Sequence, residues 1–158
     1  RFFTVYGPWG RPDMAPILFT KTIMAGKEIQ VFNNGVMQRD FTYIDDIVEG
    51  VVRVIDRPPK GDPSWNGADP DPAGSKAPYR IYNIGNSAPV RLLDFINTIE
   101  RKLGKKAIMK MMPMQPGDVV ATYADVKSLT EEIGYAPSTT LDEGIGRFVA
   151  WYLDYYGR

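Results

Sequence analysis

The stretch Phe2-Phe3-Thr4-Val5-Tyr6-Gly7-Pro8-Trp9-Gly10-Arg11-Pro12-Asp13-Met14 decides how the chain is read. Its opening residues are aromatic or β-branched, the composition of a buried strand, and Gly7-Pro8 stops them. Glycine and proline then fix the path of a loop that carries one tryptophan and one arginine. Helical spacing follows from about Met14 to Ala25, with Ile17, Leu18 and Ile23 on a broad apolar face and Gly26 placed to end it. Strand, rigid loop and helix in that order belong to a loop-rich α/β protein.

Working outward, Ile29 to Phe32 reads as a short strand and Asn33-Asn34-Gly35 as a turn. A second strand over Arg39 to Tyr43 makes a hairpin candidate with the first. The clearest helix is next: Ile44, Ile47, Val48, Val51, Val52 and Ile55 repeat at helical spacing, with Asp45 and Asp46 in the first turn. Residues 58–79 break the composition. Six of the 13 prolines lie there with almost no aliphatic residue, so a long flexible loop is expected. Arg80 to Ile84 reads as a strand, 91–103 as a helix ended by Gly104, and Ala107 to Met112 as an apolar strand whose methionines pack in the core. Asp125 is placed to cap a short helix bearing Val126, Leu129 and Ile133. Thr140-Leu141-Asp142-Glu143 has the form of a capping box that opens a last helix.

The 158 residues carry 19 Lys+Arg against 19 Asp+Glu, a net charge of zero that does not suit a nucleic-acid or anionic-membrane binder. There is no cysteine and no histidine, which excludes disulfides, thiolate or imidazole metal sites and a Ser-His-Asp relay. Chemistry must come from carboxylates, Tyr, Lys, Arg, hydroxyls or a cofactor. No apolar run approaches the length of a membrane span. The chain opens at Arg1 inside strand-like sequence, as expected of a piece of something longer, and a cytoplasmic setting is expected.

Arg11, pinned between Gly10 and Pro12, suits bidentate capture of a carboxylate or phosphate; a solvated arginine packed on Trp9 is the alternative. Arg39-Asp40 reads either as an oriented phosphate ligand or as a surface ion pair of about 0–1 kcal/mol. Gly117-Asp118 could present a carboxylate to a sugar diol or merely complete a turn.

The ordered set Arg1 to Ala15, Arg39-Asp40-Phe41-Thr42-Tyr43-Ile44-Asp45-Asp46-Ile47, Tyr82-Asn83-Ile84-Gly85 and Gln115-Pro116-Gly117-Asp118 spans nearly the whole chain. It resembles the C-terminal half of the NAD-dependent nucleotide-sugar epimerases and dehydratases of the extended short-chain dehydrogenase/reductase family. The likeness is greatest to the branch that acts on UDP-glucuronate. It implies the last strands and a helix of a Rossmann sheet (1–6 and 80–104), a small mixed α/β substrate-binding domain (13–57 and 105–158) and the flexible loop 58–79. It implies interconversion of UDP-glucuronate and UDP-galacturonate through a 4-keto sugar, with NAD held mainly by an N-terminal part. The glycine fingerprint and the catalytic Tyr-x-x-x-Lys pair of that part are expected to be missing here, leaving no catalytic residue in the chain.

Carried over by position, the resemblance puts Phe2 near the nicotinamide and Thr4 and Arg11 on the uronate carboxylate. Gln30 and Phe32 would line the uracil, Arg39 would meet the diphosphate and Asp118 the ribose. Gln115 falls where some relatives carry a second phosphate-binding arginine. The implied partners are a UDP-sugar, the chain's own N-terminal Rossmann part and, in the full-length enzyme, a second copy in a homodimer. Other readings are another nucleotide-sugar epimerase, a 4,6-dehydratase, a uronate decarboxylase, or a non-catalytic sugar-nucleotide-binding scaffold.

Overall fold

Residues 1–157 are described by a computed structural model, in which the first strand is present in two pieces. Phe2 bridges Ile84 in parallel, Thr4 bends, and β1 (Val5–Tyr6) pairs in parallel with β4 (Thr42–Tyr43). The loop leads into α1 (Ala15–Met24), and Gly26 follows it at φ 64°. β2 (Glu28–Val31) then runs parallel to β6 (Ile108–Met111).

The hairpin expected over 29–43 does not form. Asn33, Asn34 and Gly35 all have positive φ, and they wind through a short 3-10 turn instead of a two-residue reversal. The chain leaves this turn in a new direction. Its continuation splits at Asp40 into β3 (Gln38–Arg39), antiparallel to β5 (Val90–Arg91), and β4, parallel to β1. Three separate two-stranded pairs result, each joining segments distant in sequence.

α2 (Ile44–Ile55) has the expected bounds, but its apolar face is only half covered. Ile47 is buried beside Ile84 and Tyr135, whereas Val48, Val52 and Ile55 are exposed. Asp46 does more than complement the helix dipole: its carboxylate accepts the Thr139 N–H at 3.0 Å and its carbonyl the Tyr135 hydroxyl at 2.6 Å. Residues 58–79 contain neither helix nor strand; Asx turns at Asp62, Asn66 and Asp71 fold them back on themselves. The strand expected over 80–84 is reduced to single bridges at Arg80 and Ile84, because its backbone meets residues 1–3 at one end and Gly74 at the other. No helix among the described residues is long and apolar enough to cross a membrane.

α3 (Leu92–Leu103) ends at Gly104 in the left-handed region, and α5 (Leu141–Tyr156) opens on Thr140, whose hydroxyl accepts the Glu143 N–H. With α1 these helices enclose the larger core, where Phe95, Ile96, Ile99, Ile145 and Phe148 are fully buried. Each such side chain contributes about 1.5–3 kcal/mol by leaving water. A smaller cluster joins Ile47, Tyr82 and Ile84 to Leu129 and Ile133 of α4 (Lys127–Ile133). Asp125 accepts the Lys127 N–H, but Val126 occupies the cap position. The methionine strand departs from expectation. β6 pairs with β2 alone; Met109 packs on the core, while Met111 at the end of the strand and Met114 beyond it are exposed.

Glu100 is buried at the α3–β6 connection and accepts from the Lys106 ammonium at 2.7 Å and the Ala107 N–H at 2.8 Å. Burial pushes its carboxyl up, but these donors outweigh burial and hold it below the usual glutamate range. Its folded value is therefore below its unfolded one. The stabilisation is complete above the unfolded pKa and is lost as pH falls through the folded one. Glu100→Gln is expected to cost about 1–3 kcal/mol near neutrality, a difference that shrinks as pH falls below about 4. Urea titrations of both proteins at several pH values measure it; a difference that does not change with pH would contradict the assignment.

Candidate functional site

The loop between β1 and α1 depends on backbone that side chains rarely adopt. Gly7 lies at φ 147°, and a Cβ there would strike the Ile44 side chain. Trp9 lies at φ 61°, strain for a bulky residue that surrounding contacts must hold. Those contacts come from α5: the Trp9 ring meets Tyr155 edge-on at 4.9 Å and Trp151 at 5.4 Å. The last helix thus braces the loop that carries Arg11, a link that nothing in the local sequence signals.

Phe2, Thr4 and Arg11 line one cleft of about 570 Å³ together with Gly7, Trp9 and Ile44. Phe2 is 58% exposed and offers an aromatic face at this cleft. The Thr4 carbonyl accepts the Thr42 N–H at 3.1 Å, which fixes its backbone and leaves the side chain to the cleft. Arg11 is exposed and grips Asp13 side-on, Nε to Oδ1 at 3.0 Å and Nη2 to Oδ2 at 2.5 Å. The hydrogen bond from Arg11 holds the Asp13 carboxyl below its usual range, and the same contact raises Arg11. Gln30 and Phe32 line a second cavity of about 440 Å³, to which Asp13 also contributes. The Arg11–Asp13 pair therefore joins the two cavities.

Arg39 and Asp118 meet, although 78 residues separate them in the chain. Arg39 Nη2 donates to Asp118 Oδ1 at 2.8 Å, and Nη1 donates to the Gln38 and Val120 carbonyls. The arginine is mostly buried, with 18% of its side chain exposed. A phosphate reaching Arg39 must share it with Asp118. Gln115 is exposed and contributes its carbonyl, which accepts the Asp118 N–H at 3.2 Å and closes the turn.

The surface pair Arg39-Asp40 does not form. Asp40 is fully buried and accepts three backbone N–H groups, from Asn86 at 2.9 Å, Ser87 at 3.1 Å and Ala124 at 2.9 Å. Gly85 makes this possible, since a Cβ there would collide with Ala124 and crowd the carboxylate. Sequence reasoning missed Asp40 as the organiser of the site. The signal was a carboxylate directly before Phe41-Thr42-Tyr43, whose composition is that of a buried strand and where a solvated charge is out of place.

The spacing Tyr-x-x-x-Lys does occur once, at Tyr123 and Lys127, so the expectation that it would be absent needs correction. It does not form a proton-transfer pair. Tyr123 is exposed on irregular chain before α4, Lys127 is the first residue of that helix, and the lysine leans towards Glu131. On one helix the two would share a face; here the helix begins too late. Burial raises Tyr6, Tyr82 and Tyr135, the last two to about 12, so these hydroxyls stay protonated and none is poised as a base. No G-x-G-x-x-G occurs anywhere in the sequence.

A family model described as the NAD dependent epimerase/dehydratase family matches residues 1–85. Protein CapI of Staphylococcus aureus is 56% identical over 156 residues, which cover 99% of this chain and 47% of that protein. A probable UDP-glucuronate 4-epimerase of Rhizobium meliloti is 46% identical over 162 residues, covering 100% of this chain and 47% of its own length. Among solved structures, the UDP-glucuronic acid 4-epimerase of Bacillus cereus in complex with UDP-glucuronic acid and NAD superposes with a TM-score of 0.80. Identity is 30%, over 99% of this chain and 45% of that one. The chain spans about half the length of the curated relatives it matches.

Proposed function

The chain belongs to the NAD dependent epimerase/dehydratase family, and from that premise we propose that it is the substrate-binding portion of a UDP-glucuronate 4-epimerase. The observation that carries this reading is the convergence of Phe2, Thr4 and Arg11 on one cleft, with a guanidinium presented from a braced loop. A neutral sugar would bring no anion to the end of that guanidinium which Asp13 leaves open.

In this reading Arg11 and Thr4 hold the sugar carboxylate, and Gln30 and Phe32 form the wall for the uracil. Arg39 meets the diphosphate and Asp118 the ribose hydroxyls. Asp118 then has two tasks: one oxygen steadies Arg39, and the carboxylate is left as an acceptor for a diol. Gln115 sets the turn that brings Asp118 there.

The residues present fit one edge of NAD. The exposed ring of Phe2 suits the nicotinamide, while the dinucleotide's phosphates find no glycine fingerprint in the sequence. When bound, NAD supplies the hydride chemistry at C4 of the sugar. This chain's share is to bind, orient and enclose the substrate; the proton at the 4-hydroxyl falls to a residue outside it.

The division into Rossmann remnants at 1–6 and 80–104, a substrate-binding domain and the loop 58–79 is part of the same proposal. Its support is apolar surface left open beside the remnants: Phe2, Val51, Val54, Ile55, Ile81 and Ile84 line a groove of about 430 Å³. Such a surface suits the remaining strands of a sheet. The test is turnover. The full-length polypeptide with NAD should interconvert UDP-glucuronate and UDP-galacturonate, and residues 1–158 alone should not. Epimerisation by the 158-residue chain alone, or none by the full-length polypeptide, would overturn the proposal.

A further inference from the structure

We infer that Asp13 is the positioning residue for Arg11 and through it sets the preference for a charged sugar; this rests on the proposed role of Arg11 as the carboxylate ligand. Asp13 engages only the Nε side of the guanidinium, through Nε and Nη2. No hydrogen bond ties Nη1 to another described residue, and Nη2 keeps a second N–H. That end of the fork can take a second carboxylate end-on while the first stays in place.

The pair is preset by the backbone. Pro12 stands between the two residues with its φ fixed, and the Met14 N–H closes the turn on the Arg11 carbonyl at 3.2 Å. Asp13 also lies just before the N-terminus of α1, where the helix dipole favours a negative charge. A carboxylate so placed is favoured as the anion and stands within reach of Arg11, both side chains being largely exposed.

The contrary role would be a rival: an internal carboxylate that the substrate must expel. The side-on geometry argues against it, because it leaves Nη1 and the second N–H of Nη2 open to another carboxylate. What Asp13 contributes is preorganisation. An exposed arginine samples many rotamers, and freezing one on binding weakens affinity by roughly 2- to 12-fold. With Asp13 in place that ordering is done before the substrate arrives.

The experiment compares Asp13→Ala, Asp13→Asn and Arg11→Met in the full-length enzyme. It reads KM and kcat for UDP-glucuronate, with calorimetric affinities for UDP and UDP-glucose. Asp13→Ala is expected to raise KM for UDP-glucuronate by roughly 3- to 10-fold with kcat unchanged, a larger loss than any it causes in the affinities for UDP and UDP-glucose, which share the cavity that Asp13 borders. Asp13→Asn should recover part of the loss, because its amide oxygen still accepts one N–H from Arg11. A lower KM in Asp13→Ala would make Asp13 a rival, and an unchanged KM would make it a bystander; either overturns the inference. If Arg11→Met selectively impairs UDP-glucuronate while Asp13→Ala does nothing, only the inference fails. If Arg11→Met itself does not discriminate, the underlying reading of Arg11 fails, and the inference with it.

Discussion

Arg11→Met in the full-length enzyme is expected to lower kcat/KM for UDP-glucuronate by roughly 30- to 1,000-fold while leaving the affinity for UDP nearly unchanged. The asymmetry follows from which part of the ligand each cation faces. Arg11 lines the cleft with Thr4 and Phe2, and UDP has no carboxylate to place there. Arg39→Met should do the reverse and weaken UDP itself, on the order of 10- to 100-fold, since its proposed partner is the diphosphate. Arg39 is also bonded to Asp118 and to two carbonyls, so a loss of thermal stability should accompany that change and not the change at exposed Arg11. Calorimetry with UDP beside steady-state kinetics separates the two. Equal weakening of UDP by both variants would make Arg11 a phosphate ligand and remove the physical basis for a uronate substrate.

Asp40→Ala is expected to destabilise the chain by about 3–5 kcal/mol, read as a lower urea midpoint at unchanged slope. The carboxylate holds the N–H groups of Asn86, Ser87 and Ala124, and its removal strands these donors where water does not reach. Asp40→Asn should recover only part, because its amide NH₂ would turn donors towards donors. Affinity for UDP should fall alongside, since Arg39 is the adjacent residue and Asp118 reaches it from the segment that Asp40 ties down through Ala124. An unaltered midpoint in Asp40→Ala would show that the strands and the loop at 85–87 keep their places without it.

The helices were legible in the sequence because each meets a local rule. α1, α2, α3 and α5 follow apolar spacing, and their ends follow from residues close by, such as Thr140 at one start and Gly104 at one finish. The strands were legible as apolar runs but not as pairs. β2 was expected beside residues 39–43 and pairs instead with β6, some 80 residues on; pairing of that kind depends on packing between distant segments, which spacing does not encode.

The site divides in the same way. A pinned Arg11 after a short strand can be read from Gly10 and Pro12, since glycine and proline act on their own backbone; the full burial expected of that strand is reached at Tyr6, while Phe2 is exposed. The cleft it shares with Phe2 and Thr4 follows from the same continuous stretch. Three features required the folded chain: Trp9 braced by Trp151 and Tyr155, Arg39 turned towards Asp118, and Asp40 buried under three backbone donors. In each, the partner lies at least 46 residues away. A charged or strained residue looks the same in sequence whether it faces water or a partner, and only the tertiary contact decides which.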